Sequence, residues 1–401
     1  MRHYHFVLPA LLYFITQMFS CGPGDSTYTI AVSNGIGVTR QAETIEIPLE
    51  SVVDFSKEQY RYLAIEDDSG RKIATQLIDT DQDSINDLLI FQADFEARQT
   101  KEFRLTGGKT AITEIERQKR TFCRMVPERM DDFAWENDKV AFRTYGPRCQ
   151  ELYEQGNPAG LISSGMDCWT KSVDYPIIDK WYREDKNGKS YHEDHGEGLD
   201  AYHVGTTRGC GGTALVQENS YVLSENFITS RVLANGPIRS IFELEYSPVQ
   251  IGENTVTERK RITLDLGSNL YYCEVSYISG KPLDSAAVGI ALHQSNGKIA
   301  SNIEEGWVTY WEPFMDSYLG IAVLAGPESL TSLSAKDTLH QDESRNNIWA
   351  HMKVEENNFS YWAGFGWQKR GEFGSSRDWE SHLGKEASKK HNPVEVKINK
   401  D

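Results

Sequence analysis

Basic residues are in short supply in this sequence: 42 Lys and Arg stand against 59 Asp and Glu over 401 residues, a formal net charge of −17. That deficit excludes a broad basic surface, so no nucleic acid is expected as a partner, because neutralising a phosphate or sulfate backbone takes clustered Lys and Arg. Any anionic ligand must be gripped by a few placed cations inside a pocket. Cysteines are also few, six in all, and no two stand in a C-x-x-C spacing. Setting Cys21 aside leaves Cys123, Cys149, Cys168, Cys210 and Cys273, an odd set that allows at most two disulfides in a pairing the sequence does not fix. No apolar run after the first twenty residues approaches the roughly 20 needed to cross a bilayer. Long amphipathic helical stretches and internal repeats are absent too.

What the N-terminus does contain is an address. Met1 to Ser20 opens with Arg2 and His3, continues "FVLPALLYFITQMF", and meets Cys21 just after "MFS". This pattern predicts a lipoprotein signal peptide over 1–20, cleaved before Cys21, whose thiol then takes the lipid, and a lipidated linker over 21–27. The mature protein is expected to be exported, on the periplasmic or cell-surface face of a bacterial membrane, and held there only through the lipid.

The dominant hydrophobic period beyond the leader is two. "YTIAVSN", "ETIEIPL", "KEFRLTGG", "RSIFELEY", "TVTERKRITLDL" and "IAVLAG" alternate apolar with polar residues and break at Gly, Asn, Asp or Pro, as half-buried antiparallel strands do. The expected fold class is all-β, with stacked sheets covering the apolar faces. A smaller N-terminal β-sandwich portion is read over 28–108 and a larger catalytic one over 109–396, with a tail at 397–401 and poor order expected over "KEASKKHNPVEVKINKD", 385–401. A non-repetitive zone from about 145 to 212, rich in Trp, Tyr and Gly, is the kind of long connection that usually carries function.

That zone ends in "YHEDHGEGLDAYHVGTTRGCGG", Tyr191 to Gly212, which concentrates imidazoles, carboxylates, two tyrosines and an arginine where the backbone is most permissive. His192, Asp194, His195, Glu197 and Asp200 have the donor types that a divalent ion, zinc or calcium, accepts. The closed H-E-x-x-H motif is missing, and the alternative to a metal is that these carboxylates orient the histidines by hydrogen bonds. Elsewhere, "AFRTYGPRCQ" and "SGMDCWTK" put Arg148 and Lys171 near stacking rings, Lys171 two residues after Trp169. Such pairs suit an anionic sugar, a ring taking the apolar face and a cation the carboxylate. "YWEPF" and "SYWAGFGWQKRGEF" add Trp311 and Tyr361 as possible cleft walls; on a strand Tyr361, Ala363 and Phe365 share one face and Trp362, Gly364 and Gly366 the other. Nine Trp and nineteen Tyr suit sugar stacking as well as core packing. "DTDQDSIND" spaces Asp79, Asp81, Asp83 and Asp87 like a calcium loop, but Ile90 stands where the bidentate Glu belongs, which favours a solvated hairpin turn.

Taken in order, "QLIDTDQDSINDLLIF", "DDFAWENDKVAFRTYGP", "SGMDCWTK", the glycine-rich stretch and "YWAGFGWQKRGEF" resemble an uncharacterised domain family of Bacteroidetes polysaccharide-utilisation loci, and within it the ulvan-oligosaccharide dehydratases. The resemblance covers nearly all of the mature chain. It implies a galactose-mutarotase-like β-supersandwich and an exo-acting enzyme that removes water from the non-reducing-end uronic acid of a sulfated oligosaccharide, leaving a 4,5-unsaturated sugar. Such an elimination needs a base at C5, an acid at the C4 hydroxyl and a cation at the carboxylate. Tyr202 and His203 are expected to supply acid and base, Arg208 the cation, and His192 either a metal ligand or a further acid–base group. Arg148, Trp169, Lys171, Trp311 and Tyr361 are expected to bind substrate. A polysaccharide lyase, which expels a glycosidic oxygen by the same elimination, and a non-catalytic surface glycan-binding lipoprotein remain alternatives.

Overall fold

The alternating segments become antiparallel strands whose apolar residues point inward. The computed structural model describes residues 26–108, 119–217, 220–293, 296–335 and 346–401. The expected leader and Cys21, like the boundary near 109–118, lie outside them.

The N-terminal portion is two sheets face to face. In one, Thr27–Ser33 and Thr100–Gly107 lie side by side with Leu63–Glu66 and Lys72–Ile73 beyond; in the other, Leu88–Phe95 runs between Arg40–Pro48 and Thr75–Ile78. Ile30, Val32, Ile45, Ile47, Leu89 and Phe91 are fully buried between them. The outer face of the smaller sheet is used too, because Ile78 and Ile90 pack on Leu233, Ala234, Ile238 and Ile241 of the larger portion.

The expected loose tail is corrected. Glu395–Lys400 is a strand on the free edge of the first sheet, antiparallel to Thr27–Ser33, with Ile398 opposite Ile30 and Val396 opposite Val32. Its apolar residues at alternate positions pack against the N-terminal core, so the end of the chain completes the sandwich at its beginning.

The larger portion is built on a nine-stranded sheet. Its strands run in the order Phe227–Asn235, Arg239–Tyr246, Asn254–Asp265, Leu270–Ser279, Asn358–Trp367, Ser317–Ala325, Trp307–Phe314 and Lys298–Asn302, with Val249–Ile251 also paired to Asn254–Asp265. Two five-stranded sheets share its inner core. One runs Gly198–Leu199, Asp167–Lys171, Ala141–Thr144, Asp132–Glu136, Phe122–Val126; the other runs Ser220–Val222, Cys210–Gln217, Ser285–Ala291, Asn347–Lys353, Leu330–Ala335. The seam is aromatic: Trp135 and Phe142 meet Tyr271 edge-on, and Phe133 stacks on Phe242 at 4.2 Å. Hydroxyls tie the layers together, Tyr271 donating to Cys210 O at 2.7 Å and Tyr361 to Gly211 O at 2.6 Å.

Among the described residues three α-helices decorate this frame, α1 (Pro147–Glu154), α2 (Ile178–Lys186) and α3 (Ser376–His391). Helix α3 covers part of the outer face of the nine-stranded sheet, burying Trp379 and Leu383 on Trp307, Trp311 and Leu324. It comes close because Gly320 and Gly366 have no side chain: a Cβ at either would lie within 2.8 Å of Trp379. The all-β expectation therefore holds, as a stacked assembly of antiparallel sheets.

Candidate functional site

Two concavities compete. The larger, about 1050 Å³, is an open trough on the outer face of the nine-stranded sheet. Its arginines are spent on its own glutamates, Arg231 and Arg261 on Glu243 and Arg259 on Glu245, and no histidine lines it. The smaller, about 390 Å³, is lined by His203, Thr207, His293, Asn296, Glu312 and Asn346 with an apolar wall from Pro313, Phe314 and Met315. Only the second combines imidazoles, a carboxylate and amides around a space the size of a sugar, and it is the candidate site.

Its parts come from four elements. His203 and Thr207 sit on the loop that ends the glycine-rich stretch. There Gly209 has φ +58°, and a Cβ on it would lie 2.0 Å from Met166 O, so no other residue fits this turn. His293 follows the Ser285–Ala291 strand, Glu312 lies on Trp307–Phe314, and Asn346 precedes Asn347–Lys353. The Leu292 N–H donates to Asn346 O at 2.8 Å, which fixes the last two loops together.

The centre of the site is a histidine–carboxylate pair. His293 Nδ1 lies 2.8 Å from Glu312 Oε1, and its Nε2 lies 2.6 Å from the carbonyl oxygen of His203. A carbonyl and a carboxylate both accept, so with both ring nitrogens donating the ring is the imidazolium. Burial by itself lowers the His293 pKa, but the Glu312 hydrogen bond and charge outweigh it and raise the value above normal. The Tyr202 ring stands edge-on to His293 at 4.6 Å, beneath the pocket floor. Burial pushes the Tyr202 phenol well above its ordinary pKa, so it keeps its proton.

The expected site residues separate accordingly. His203 is exposed on the pocket wall and Tyr202 is buried under it. Arg208 is fully buried on the far side of the loop, its Nη1 donating to Ser164 Oγ at 2.8 Å and its stem against Gly289; burial lowers its pKa to about 10. It does not line the pocket, so the role of carboxylate-neutralising cation does not fit it.

The proposed metal set is not drawn to one point. His192 bonds the carbonyl of Asp200 at 2.8 Å, His195 that of Ser190 at 3.1 Å, and Asp194 caps Gly196 N–H and pairs with Lys369. Glu197 accepts from Tyr175, Lys180 and Trp181, while Asp200 lies buried beside Arg143. Among the described residues the donors that do converge are Asp79, Asp81 and Asp87, in the turn between Thr75–Ile78 and Leu88–Phe95. There Asp79 accepts from Gln82 and Ser84 N–H and Asp87 from Thr80, which is the hairpin-turn arrangement.

The expected substrate binders also lie elsewhere. Trp169 is wholly buried between Trp181 and Tyr191 at 5.6 and 4.9 Å. Trp311 belongs to the cluster under α3, and Tyr361 is fully buried in the inter-sheet core, on the face it shares with Ala363 and Phe365. Arg148 is exposed on α1, paired with Glu151 at 2.6 Å. Lys171 is completely buried, its Nζ 2.8 Å from Glu136 Oε2 and donating to the carbonyls of Asn137 and Tyr175. An aromatic beside a cation has the same sequence signature whether it faces a sugar or a core.

Lys171→Met therefore should act on stability. It leaves the Glu136 carboxylate buried without its cation, a loss of about 3–5 kcal/mol. Urea unfolding of the variant measures it; an unchanged midpoint would mean the pair is not buried as described.

Sequence reasoning missed His293 and Asn346. Glu312 was visible only as the lone acid inside an aromatic strand, which needs a partner if buried.

A family profile described as a domain of unknown function, DUF4861, matches residues 32–396. A relative described as "Uncharacterized protein P7" from Formosa agariphila (strain DSM 15362 / KCTC 12365 / LMG 23005 / KMM 3901 / M-2Alg 35-1) is 39% identical over 395 residues, covering 97% of this chain and 98% of that one. Among solved structures, an α-mannosidase from Enterococcus faecalis V583 superposes with a TM-score of 0.52 at 9% identity, over 93% of this chain and 46% of that one. A glycosyl hydrolase family 38 protein from Enterococcus faecalis gives 0.50 at 10% identity, over 93% and 47%. The chain thus spans about half the length of these solved structures, and the likeness is one of fold.

Proposed function

The chain belongs to the DUF4861 family, and we propose that it is a carbohydrate dehydratase acting on the non-reducing-end uronic acid of ulvan oligosaccharides. The observation that carries this reading is the His293–Glu312 pair with the His203 side chain on the wall of the same pocket. In the proposed reaction the His203 imidazole takes the C5 proton. The imidazolium of His293, held by Glu312 at Nδ1, gives its Nε2 proton to the departing C4 hydroxyl as that N–H turns from the His203 carbonyl to the substrate. The C4–O bond breaks, water leaves, and the C4=C5 double bond forms. His203 ends protonated and His293 neutral, and exchange with solvent resets both. The amides of Asn296 and Asn346 line the pocket where ring hydroxyls, carboxylate or sulfate would lie, while the Thr207 hydroxyl is already donated to the Val204 carbonyl. Phe314 and Met315 offer the sugar an apolar face.

This route places acid and base on the chain's own side chains, with the His293 imidazolium as the positive charge that lines the pocket, preorganised where it acts more strongly than in water. The enzyme is proposed to work outside the cytoplasm, anchored through Cys21.

The test is ultraviolet absorbance of the unsaturated uronate, followed with mass spectrometry, on saturated ulvan di- and tetrasaccharides. The expected result is loss of one water with the chain length unchanged. Chain cleavage with the same absorbance would make the protein a lyase; binding without turnover would make it a glycan-binding lipoprotein.

A further inference from the structure

Behind the pocket floor lies a buried polar cluster that the reaction as written leaves unused. Arg143 Nη2 donates to Asp167 Oδ2 at 2.6 Å and lies 3.1 Å from Asp200 Oδ2, while its Nε lies 3.8 Å from Asp132 Oδ2. All four side chains are buried, none more than 5% exposed. The other cation is Arg129, whose Nε lies 3.3 Å from Tyr191 Oη. Tyr145 and Tyr182 face the cluster, Cys149 and Cys168 border it, and His192, largely exposed, reaches Asp200 Oδ2 at 3.5 Å.

Charge counting gives the first argument. Three carboxylates against the buried Arg143 and the part-buried Arg129 leave one excess negative charge with only the exposed His192 ring facing it, and such a group neutralises by taking a proton. The second is geometric. Asp132 Oδ2, Asp167 Oδ1, Arg143 Nε, Tyr182 Oη and Tyr202 Oη are all buried without a hydrogen-bond partner among the described residues. Native interiors leave few such atoms, and a cluster of them marks a place for ordered water. The Asp167 charge acts on both Tyr202 and His293, so the cluster lies within electrostatic reach of the pocket floor.

We infer that the cluster is an internal proton store for the proposed dehydration, its carboxylates sharing one proton, with Asp167 as the member whose charge acts on His293. The inference rests on the dehydratase reading for its use, but not for its existence. Asp167 does not touch substrate; it is a positioning residue. Burial, reinforced by the neighbouring Asp200 charge, pushes it up to about 7, and burial pushes Asp132 and Asp200 up to about 6. Solvent refills the store by way of His192 and Asp200.

Carboxyl chemical shifts of the full chain, labelled at Asp and titrated by NMR, test the store without any turnover. One Asp carboxyl should remain protonated close to neutral pH, and its signal should vanish in Asp167→Asn. Titration of every Asp near the ordinary value of about 3.9 would overturn the proposal. Should Asp167→Asn fail to fold, Asp132→Asn serves instead, because removing a neighbouring charge moves the remaining signal to lower pH. On an active wild type, Asp167→Asn should shift the pH profile of turnover and leave KM unchanged; an unshifted profile makes the cluster purely structural. A wild type inactive on uronates that still shows the high-titrating carboxyl would fail the reading of the reaction, not the store.

Discussion

Glu312→Gln and His203→Ala should each lower turnover on saturated uronic-acid oligosaccharides by about 10²–10⁴-fold, the usual contribution of a general acid or base. The two losses have different signatures. His203→Ala removes the base from the wall and leaves the pair beneath it untouched, so KM moves little. Glu312→Gln keeps the shape but replaces the carboxylate whose hydrogen bond raises the His293 pKa. The ring then loses its second proton at lower pH, and the alkaline limb of the rate profile moves to lower pH. The stability sign follows the same logic. A histidine raised in the folded state lends stability that is full below its unfolded pKa, about 6.5, and is lost as pH rises through the folded value. Glu312→Gln should remove that contribution, flattening the stability curve in this range. Near-normal turnover in both variants would move the active centre out of this pocket.

How far the site was legible follows from where its parts lie along the chain. The strand faces were readable: Tyr361, Ala363 and Phe365 do share the inner face, because period-two alternation is a local property. His203 was readable because the backbone that carries it needs Gly209, and glycine clusters mark sharp turns. His293 lies 90 residues from His203 and 19 from Glu312, just after a strand of a different sheet from the one that carries Glu312, and no local pattern announces that they meet. Arg208 misled because a guanidinium in a glycine-rich loop reads the same whether it faces the cleft or, as here, the core. The candidate metal ligands at 192–200 failed for a related reason. Close spacing in sequence on an irregular loop does not aim side chains at one point, and each of these found a partner of its own.

The Arg143 cluster was hidden differently, since Arg143 and Asp167 are directly opposed only in the register of two antiparallel strands. It carries the last prediction. Arg143→Met should destabilise the protein by about 3–5 kcal/mol at neutral pH, because it strands buried carboxylates without their cation. The dependence on pH gives the cause. Asp132, Asp167 and Asp200 are raised in the folded state, so the folded protein binds more protons than the unfolded chain between about 4 and 7. Wild-type stability from these groups is therefore full in acid and declines as pH rises through that window. Without Arg143 the carboxylates hold their protons to still higher pH, so the penalty should shrink in acid and grow toward alkaline pH. Adding Asp167→Asn removes one of the stranded charges and should recover part of the loss, a coupling that a double-mutant cycle of urea unfolding measured at two pH values reads directly. A penalty that is the same at both pH values, or larger in acid, would mean that Arg143 acts by packing on Tyr145 and Trp169, whose rings it covers at 5.4 and 5.2 Å, and not by charge.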